Sequence, residues 1–346
     1  MNRTQNARPI LVAVRTLDRS AHSILRKAAS LATLYDAPVR IVHVLAIPQG
    51  ALARAGATVR QAAQADLDQR TVRLEKLAQR AELRQLRVTS TVRCDYPVQD
   101  ALVREAIACH ARMLLVESHG PGRLARMFLS NIDWDLIRNC PCPLWLSKSH
   151  KFNSLAPIIA AVDPLHAHAK PAMLDDTIVA HAIEASGSRP SKVVLCHAYS
   201  LPQGAITGSP VEAHWIAMTE DEQRAYQRDL ERAIERLQRK ADIPSDNAAV
   251  VRGDPAFQLP RLAKKHSAAL VVMGAVSRRG LKRVFIGNTA ERVIDKLDCD
   301  VLVLKPRGFK SLVERQTYRR PIPRPRRYAL ASRHGQSGGN VTYVTH

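Results

Sequence analysis

The sequence predicts an α/β protein of two tandem Rossmann-like or flavodoxin-like units, each with a five-stranded parallel sheet and helices on both faces. The first observation behind this prediction is a repeat, because residues 271–306 are an altered copy of residues 115–148. A constant offset of 157 residues relates three equivalent pairs, Glu117 and Gly274, Ser130 and Gly287, and Cys142 and Cys299. The second is composition, since 46% hydrophobic but only 4% aromatic residues is typical of aliphatic sheets under alanine-rich helices. We expect the units to pack as an internal pseudo-dimer.

The third observation is the order of predicted elements, which is the same in both halves. Short continuous apolar runs, typical of strands buried on both faces, open the units at Pro9–Val14 and Pro157–Val162. Apolar positions at helical spacing follow at 20–35 and 174–186. The second strands are predicted at Val39–Leu45 and Lys192–Ala198, and longer helices at about 60–86 and 219–240.

The second half of each unit repeats the alternation. The third strands are Val88–Arg93 and Ala248–Arg252, followed by helices at 98–110 and 256–266. The fourth strands are Met113–Glu117 and Leu270–Gly274, and the fifth are Leu144–Leu146 and Val301–Leu304. Strands that alternate with helices through short links predict right-handed crossovers and parallel pairing.

These patterns predict domains at 8–148 and 155–306, followed by a basic tail at 307–346. Residues 305–346 contain ten Lys and Arg but one acid, Glu314, within a chain of net charge +21. Because its prolines oppose helix and its charges oppose collapse, we expect the tail to be disordered. Two interpretations stay open: a solubilising tail, or a segment that holds nucleic acid or another anionic surface through counterion release.

Composition also restricts the class of protein. The apolar runs are too short for a membrane span, and the polar N-terminus has no apolar signal core, so we expect a soluble cytoplasmic protein. Six cysteines in a chain of this size do not indicate a disulfide framework. The spacing of Cys140 and Cys142, one residue apart rather than two, argues against the usual redox or zinc pairs.

A candidate ligand site lies at the carboxyl ends of the strands of the second unit. Open parallel sheets bind ligands there, near the switch point between strands one and four. Asp163 follows the first strand, Gly274 ends the fourth, and Gly287-Asn288-Thr289 opens the last helix, whose N-terminal amides attract anions. The alternative is that the glycines serve only a tight turn.

Four basic residues in the same loop either contact phosphate or an acidic partner, or form a solvated face: Arg278, Arg279, Lys282 and Arg283. A less charged, amphiphilic ligand is also compatible with the aliphatic strand ends.

At these residues the sequence resembles the universal stress proteins. That family carries Gly, two residues, Gly, nine residues and then Gly-Ser or Gly-Thr, and this chain has Gly274, Ser277, Gly287 and Asn288 at those positions. Ser277 and Asn288 depart from the pattern. The segments NTAERVID and CDVLVLKP are also similar to the family, and two units in one chain resemble its tandem E-type members. The resemblance covers about residues 8–306.

The resemblance implies an adenine-nucleotide site in the second unit only. ATP with magnesium is the candidate ligand there, and no cofactor is expected to be required. The resemblance places Asp163 against adenine. The other implied contacts are Ala161, Val162, Ala198, Met273, Gly274, Ser277, Gly287, Asn288 and Thr289. Ser277 weakens the expected site, since a side chain at positive φ costs roughly 1 to 2 kcal/mol.

The first unit departs further from the family pattern. Arg15 replaces the adenine-side aspartate, Glu117 the first loop glycine and Ser130 the third, so only Gly120 remains. Because a carboxylate repels phosphate, we predict no nucleotide there. The sequence Gly120-Pro121-Gly122 resembles a dinucleotide fingerprint, but it follows a fourth strand rather than a first, so we reject that interpretation.

Catalysis and resident metal binding are not expected. His166 and His168 lack partners at metal-ligand spacing, and a solvated loop is favoured. His43 and His197 occupy equivalent strand positions, which favours a core or strand-end role. The resulting prediction is a non-enzymatic stress-response protein. The resemblance further implies tolerance of DNA-damaging agents, possible roles in motility or adhesion, protein partners, and a monomer or a homodimer.

Two alternatives from other classes remain. One is a slow ATP-hydrolysing switch, for which Glu291 is the nearby candidate metal-binding carboxylate. The other is a nucleic-acid-associated protein that binds through the basic tail.

Overall fold

The computed structural model describes residues 8–118, 130–148, 152–165, 173–199, 219–275 and 288–313. Several predictions lie outside these ranges: those for Gly120, His166, His168, Ser277 and Gly287, for the basic loop residues from Arg278 to Arg283, and for the tail from residue 314 onward. Among the described residues, no helix combines the length and the apolar composition needed to cross a bilayer.

The first unit alternates strands and helices as predicted. Its elements are β1 (Ile10–Ala13), α1 (His22–Leu34), β2 (Val39–Leu45), α2 (Gln49–Arg54), α3 (Ala57–Ala78), β3 (Val88–Cys94), α4 (Val98–Ala108), β4 (Met113–Glu117), α5 (Asn131–Asn139) and β5 (Leu144–Ser147). The short helix α2 was not predicted. The helix expected over 60–86 ends at Ala78, and a separate 3-10 turn at Ala81–Leu83 buries Leu83.

The second unit repeats this order. Its elements are β6 (Ile158–Ala161), α6 (Leu174–Ala185), β7 (Val193–Tyr199), α7 (Glu220–Lys240), β8 (Ala248–Arg252), α8 (Pro255–Lys265), β9 (Leu270–Gly274), α9 (Asn288–Lys296) and β10 (Asp300–Leu304). Helix α7 begins with a capping box, in which Thr219 and Glu222 satisfy each other's backbone amides.

The ten strands of the described residues form one sheet, in the order β3-β2-β1-β4-β5-β10-β9-β6-β7-β8. Pairing is parallel within each unit, and the units join through an antiparallel pair in which Leu302 of β10 lies opposite Trp145 of β5. The predicted fold class is therefore confirmed. Pairing of the two fifth strands also covers both edges at the junction, which would otherwise expose unpaired backbone groups.

Apolar layers cover both faces of the sheet and run through both units. On one face, Val12 of β1 belongs to a cluster that extends from Leu25 of α1 to Ile178 of α6. On the other face, Leu11 belongs to a cluster that includes α4, α5, α8 and α9. Neighbouring residues of β1 thus contribute to opposite layers, which explains why its apolar run is continuous.

Candidate functional site

The candidate site lies where β6, β7 and β9 end. Ala161 is in register with Cys196 of β7 and with Met273 of β9, and the Val162 amide donates to the Cys196 carbonyl at 3.0 Å. Three adjacent strands therefore present their carboxyl ends together. The predicted site residues found at this edge are Ala161, Val162, Asp163, Ala198, Met273 and Gly274.

Asn288 and Thr289 open helix α9, which connects β9 to β10. Because these two strands are parallel, the connecting helix runs back across the sheet, and its N-terminus lies at the same carboxyl edge. Its first amides are then oriented toward an anion bound at that edge.

Asp163 is held at the edge by two contacts. Its backbone amide donates to Asp175 Oδ1 at 3.1 Å, which ties the loop to the first turn of α6. Its carboxylate Oδ1 lies 3.8 Å from Nδ1 of His197, and the Asp163 side chain is 25% exposed. A positioned, partly exposed carboxylate can accept a hydrogen bond from a ligand amine.

His197 and its counterpart His43 perform the same structural task. Nδ1 of His197 lies 2.8 Å from the Val162 carbonyl, and Nδ1 of His43 lies 2.9 Å from the Val14 carbonyl. Both rings are nearly buried, at 3% and 4% exposed. Burial lowers the pKa of His43, opposed by its bond to Val14. Each ring therefore links the end of a second strand to the end of a first strand.

Gly274 packs closely against α6. A Cβ at this position would lie 2.7 Å from Cδ2 and 3.3 Å from Cγ of Leu174, so a side chain would require Leu174 to move. This contact supports the alternative that the glycine serves packing at the turn. A close approach of ligand to backbone at the same residue is compatible with it.

The equivalent position in the first unit is polar. Glu117 ends β4. Burial lowers the pKa of the nearby Lys27 of α1, and the Asp300 carboxylate opposes that shift first, with a further contribution from Glu117.

The N-terminus of α5 is closed by its own side chains. The Ser130 amide donates to Asp133 Oδ2 at 2.9 Å, and the Asp133 amide donates to Ser130 Oγ at 3.3 Å. Asp133 is 3% exposed, so a carboxylate of the chain already occupies the region where a helix N-terminus attracts anions. The residue equivalent to Asp133 in α9 is Ala290.

Glu291 is paired across the two units. Its Oε1 lies 3.2 Å from Nη2 of Arg138 in α5, and both side chains are partly exposed. Within the described residues, no group of three or more His, Cys, Asp and Glu side chains could hold a metal ion.

Several residues near the carboxyl edges of the two units were not predicted from the sequence. The spacing Ser130-x-x-Asp133 is a capping-box signature and could have been found from sequence. Asp175 and Lys27 carry no local signal, because their partners are set by how loops and helices pack on the sheet.

The architecture is that of a duplicated, doubly wound α/β protein in which the parallel strands of each unit present their carboxyl ends at one edge. The family model for the universal stress protein family matches residues 6–148 and 173–305, and the chain belongs to that family. The predicted resemblance is confirmed.

Relatives with the same tandem organisation include Universal stress protein E of Escherichia coli (strain K12). It is 30% identical over 220 residues, covering 62% of this chain and 67% of the relative. A solved structure of a putative universal stress protein from Pseudomonas aeruginosa UCBPP-PA14 superposes with a TM-score of 0.64 at 23% identity, covering 88% of this chain and 95% of that one. A universal stress protein from Archaeoglobus fulgidus has a TM-score of 0.56 at 12% identity, covering 85% of this chain and 98% of that one. The solved structures share the fold of this chain.

Proposed function

We propose that this tandem universal stress protein is a non-catalytic stress-response protein that binds one adenine nucleotide, or a small ligand of similar shape, in its second unit alone. The observation that carries the proposal is Asp163, a partly exposed carboxylate fixed at the carboxyl edge of the second unit. Its counterpart in the first unit is Arg15, which is exposed and of opposite charge.

The surroundings of Asp163 favour an adenine-like group. A carboxylate accepts hydrogen bonds from an exocyclic amine, whereas Arg15 only donates. The adjacent strand ends supply apolar side chains, among them Val162 and Met273, which are 4% and 6% exposed.

The N-terminus of α9, where we expect a phosphate, is also more favourable to an anion than the N-terminus of α5. Helix α9 carries Ala290 where α5 carries the buried Asp133, and the one acidic residue in its first turn, Glu291, is offset by Arg138. An incoming phosphate at α9 therefore meets less negative charge than it would at α5.

The same ion pair weighs against the hydrolytic alternative. A magnesium-dependent ATPase needs a carboxylate to hold the metal, and Glu291, the candidate from sequence, contacts Arg138 across the units. We propose that a bound ligand acts by changing conformation or partner binding, without turnover.

The test is calorimetric titration of ATP with magnesium into the full chain at moderate ionic strength, for the wild type, Asp163→Ala and the matched control Arg15→Ala. We expect one site per chain, weakened about 10- to 100-fold by Asp163→Ala, because a hydrogen bond to a charged group contributes about 1.5–3 kcal/mol. Arg15→Ala should bind as the wild type does.

Two sites per chain, or equal binding by Asp163→Ala, would contradict the proposal. Affinity that persists in Asp163→Ala and falls steeply with salt would instead assign binding to the basic charge of the chain. Measurable ATP turnover lost in Glu291→Gln would favour the hydrolytic switch.

A further inference from the structure

A pair of sulfur atoms lies between α5 and β5, apart from the proposed nucleotide edge. Cys140 ends α5, Cys142 precedes β5, and their Sγ atoms are 3.5 Å apart. Their sequence spacing had argued against a redox pair, but the turn at Pro141 brings the two side chains together. At this distance the two sulfurs are in contact and are not bonded to each other.

The pair has access to a cavity. Cys140 is 1% exposed, whereas Cys142 is half-buried and lines a cavity of ≈ 730 Å³. His110 at the end of α4 and Phe309 after β10 line the same cavity. A small solute that enters this cavity reaches Cys142, and the Cys140 sulfur lies 3.5 Å from the Cys142 sulfur.

An ammonium group accompanies the pair. Nζ of Lys305 is buried and makes no hydrogen bond within the described part of the chain, and it lies 5.0 Å from the centroid of the Phe309 ring. The equivalent Lys148 donates its Nζ to the carbonyls of Ile294 and Leu297 at the end of α9. Among the described residues, Lys305 thus differs from Lys148 because no oxygen accepts a hydrogen bond from its buried Nζ.

The Cys140 sulfur and the Lys305 ammonium influence each other electrostatically. The hydrogen bond from Cys142 is the main cause that lowers the pKa of Cys140, and the Lys305 ammonium lowers it further. Burial lowers the pKa of Lys305 to about 8, and Cys140 opposes that shift. A thiolate on Cys140 is therefore stabilised by a thiol on one side and an ammonium on the other.

We propose that Cys140 and Cys142 form a peroxide-sensitive site that switches reversibly between dithiol and disulfide, with Lys305 stabilising the reactive thiolate. The oxidant is a hydroperoxide small enough to enter the cavity. This inference does not depend on nucleotide binding.

The chemistry balances with one hydroperoxide per pair. The Cys140 thiolate, having released its proton to solvent, attacks one oxygen of a peroxide that has entered the cavity and moved past the Cys142 side chain. The O–O bond breaks, giving a sulfenic acid on Cys140 and an alkoxide or hydroxide that takes the proton of the Cys142 thiol. The Cys142 thiolate then attacks the Cys140 sulfur, the S–O bond breaks, and the departing hydroxide takes a proton from solvent to leave as water. Two electrons pass from the sulfurs to the peroxide.

The duplication supplies a matched control. Cys299 is equivalent to Cys142, but Leu297 takes the place of Cys140, so no second sulfur is supplied from that position. Burial raises the pKa of Cys299 to about 12, which keeps it as the unreactive thiol.

The test uses the full chain, exposed to hydrogen peroxide, quenched by thiol alkylation and followed by intact-mass and peptide-mass spectrometry. We expect a loss of two hydrogens that maps to the Cys140–Cys142 peptide and is reversed by dithiothreitol. Cys299→Ser should behave as the wild type, whereas Cys140→Ser and Cys142→Ser should not form this bond. In Cys142→Ala, Cys140 should react with a sulfenic-acid probe.

Lys305→Met tests the role of the ammonium. In this variant the Cys140–Cys142 pair should oxidise about 3- to 10-fold more slowly near neutral pH, because a smaller fraction of Cys140 is thiolate. The higher nucleophilicity of that thiolate offsets part of the loss. Circular dichroism of each variant checks that it remains folded. The proposal is overturned by a pair that stays reduced while Cys299 oxidises, or by irreversible oxidation of Cys142 alone. An unchanged rate in Lys305→Met overturns the assignment of Lys305.

Discussion

The two units share one strand order but use the ends of their fourth strands in opposite ways. In the second unit Gly274 packs against Leu174, and no side chain projects from the strand end. In the first unit the charged side chain of Glu117 occupies that position. The comparison shows that the two copies have kept the same strand order while their fourth strands end in side chains of different size and charge.

Lys27, the buried lysine of α1, also contacts the second unit. Asp300 of β10 is fully buried, and its carboxylate accepts from Lys27 Nζ at 2.5 Å, from Trp145 Nε1 at 2.8 Å and from the Lys148 amide at 3.0 Å. All three donors precede the second unit in the chain. A carboxylate of the second unit thus accepts three hydrogen bonds from the other side of the junction.

A second contrast concerns the helix that follows the third strand. In α4 the fully buried Glu105 contacts Nε of both Arg40 and Arg93 at 2.5 Å. The strand register and helix alignment place Val194, Val251 and Leu262 at the corresponding positions of the second unit, within an apolar cluster. The same framework therefore accommodates either an ionic or an apolar layer.

The largest expected effect comes from breaking that ionic layer. Glu105→Leu leaves two arginines without their shared carboxylate, and we expect the free energy of unfolding to fall by about 5 kcal/mol in urea titration. The triple variant Arg40→Val, Arg93→Val, Glu105→Leu copies the second unit and should recover to within about 1 kcal/mol of the wild type. A triple variant as unstable as the single one would show that the two layers are not interchangeable.

The next largest loss of stability is expected at the junction between β5 and β10. In the wild type, Oδ2 of Asp300 accepts from Trp145 and Lys27, and Oδ1 accepts from the Lys148 amide. Asp300→Asn keeps one of these oxygens and puts a donor NH2 in place of the other, and it leaves the buried Lys27 without its main counter-charge. Together these changes should cost about 3–4 kcal/mol. Adding Lys27→Met should restore most of that loss in the same thermal or urea unfolding assay. A mild effect of Asp300→Asn alone would mean that Glu117 suffices as the partner of Lys27.

Lys305 predicts a pH dependence. Its pKa is about 8 when folded, against 10.5 for the ordinary side chain, so below pH 8 the folded protein bears the full cost of the buried charge. Between pH 8 and 10.5 the folded lysine loses its proton while the unfolded one keeps it, so wild-type stability rises relative to Lys305→Met. We expect Lys305→Met to be more stable by up to about 3 kcal/mol at pH 7 and equal near pH 10.5. A pH-independent difference in unfolding free energy would refute this.

The smallest effect concerns the closed helix end. Ser130→Ala removes one half of the capping box of α5 and should lower the unfolding free energy by about 1 kcal/mol. Thr219→Ala at the capping box of α7 is the matched control, and it should cost a similar amount. A loss of several kcal/mol in Ser130→Ala only would indicate that this cap supports more than its own helix.

Sequence patterns predicted the fold well because the relevant signal is local. Runs such as Val39–Leu45 and Met113–Glu117 were predicted with the same bounds that the structure shows, since burial of both sheet faces demands continuous apolar residues. Helix α2 was missed because its six residues are too few to show a helical period.

The polar contacts were less predictable. Lys27 and Asp300 are 273 residues apart, and no periodicity connects them. For Cys140 and Cys142, the spacing did not indicate how close the sulfurs lie, because the sulfur–sulfur distance depends on the backbone turn and the side-chain rotamers. At the candidate site, Asp163 and the strand ends follow from the repeat and the fold, whereas its position against His197 depends on tertiary packing.

The most direct test of one open and one closed edge is hydrogen–deuterium exchange of the full chain with and without ATP and magnesium. We predict slower exchange in peptides that cover 160–165 and 288–292, and no change in the equivalent peptides at 12–17 and 130–135. Equal protection of both sets would contradict the closure of the first unit, and no protection at 160–165 would contradict a ligand at Asp163.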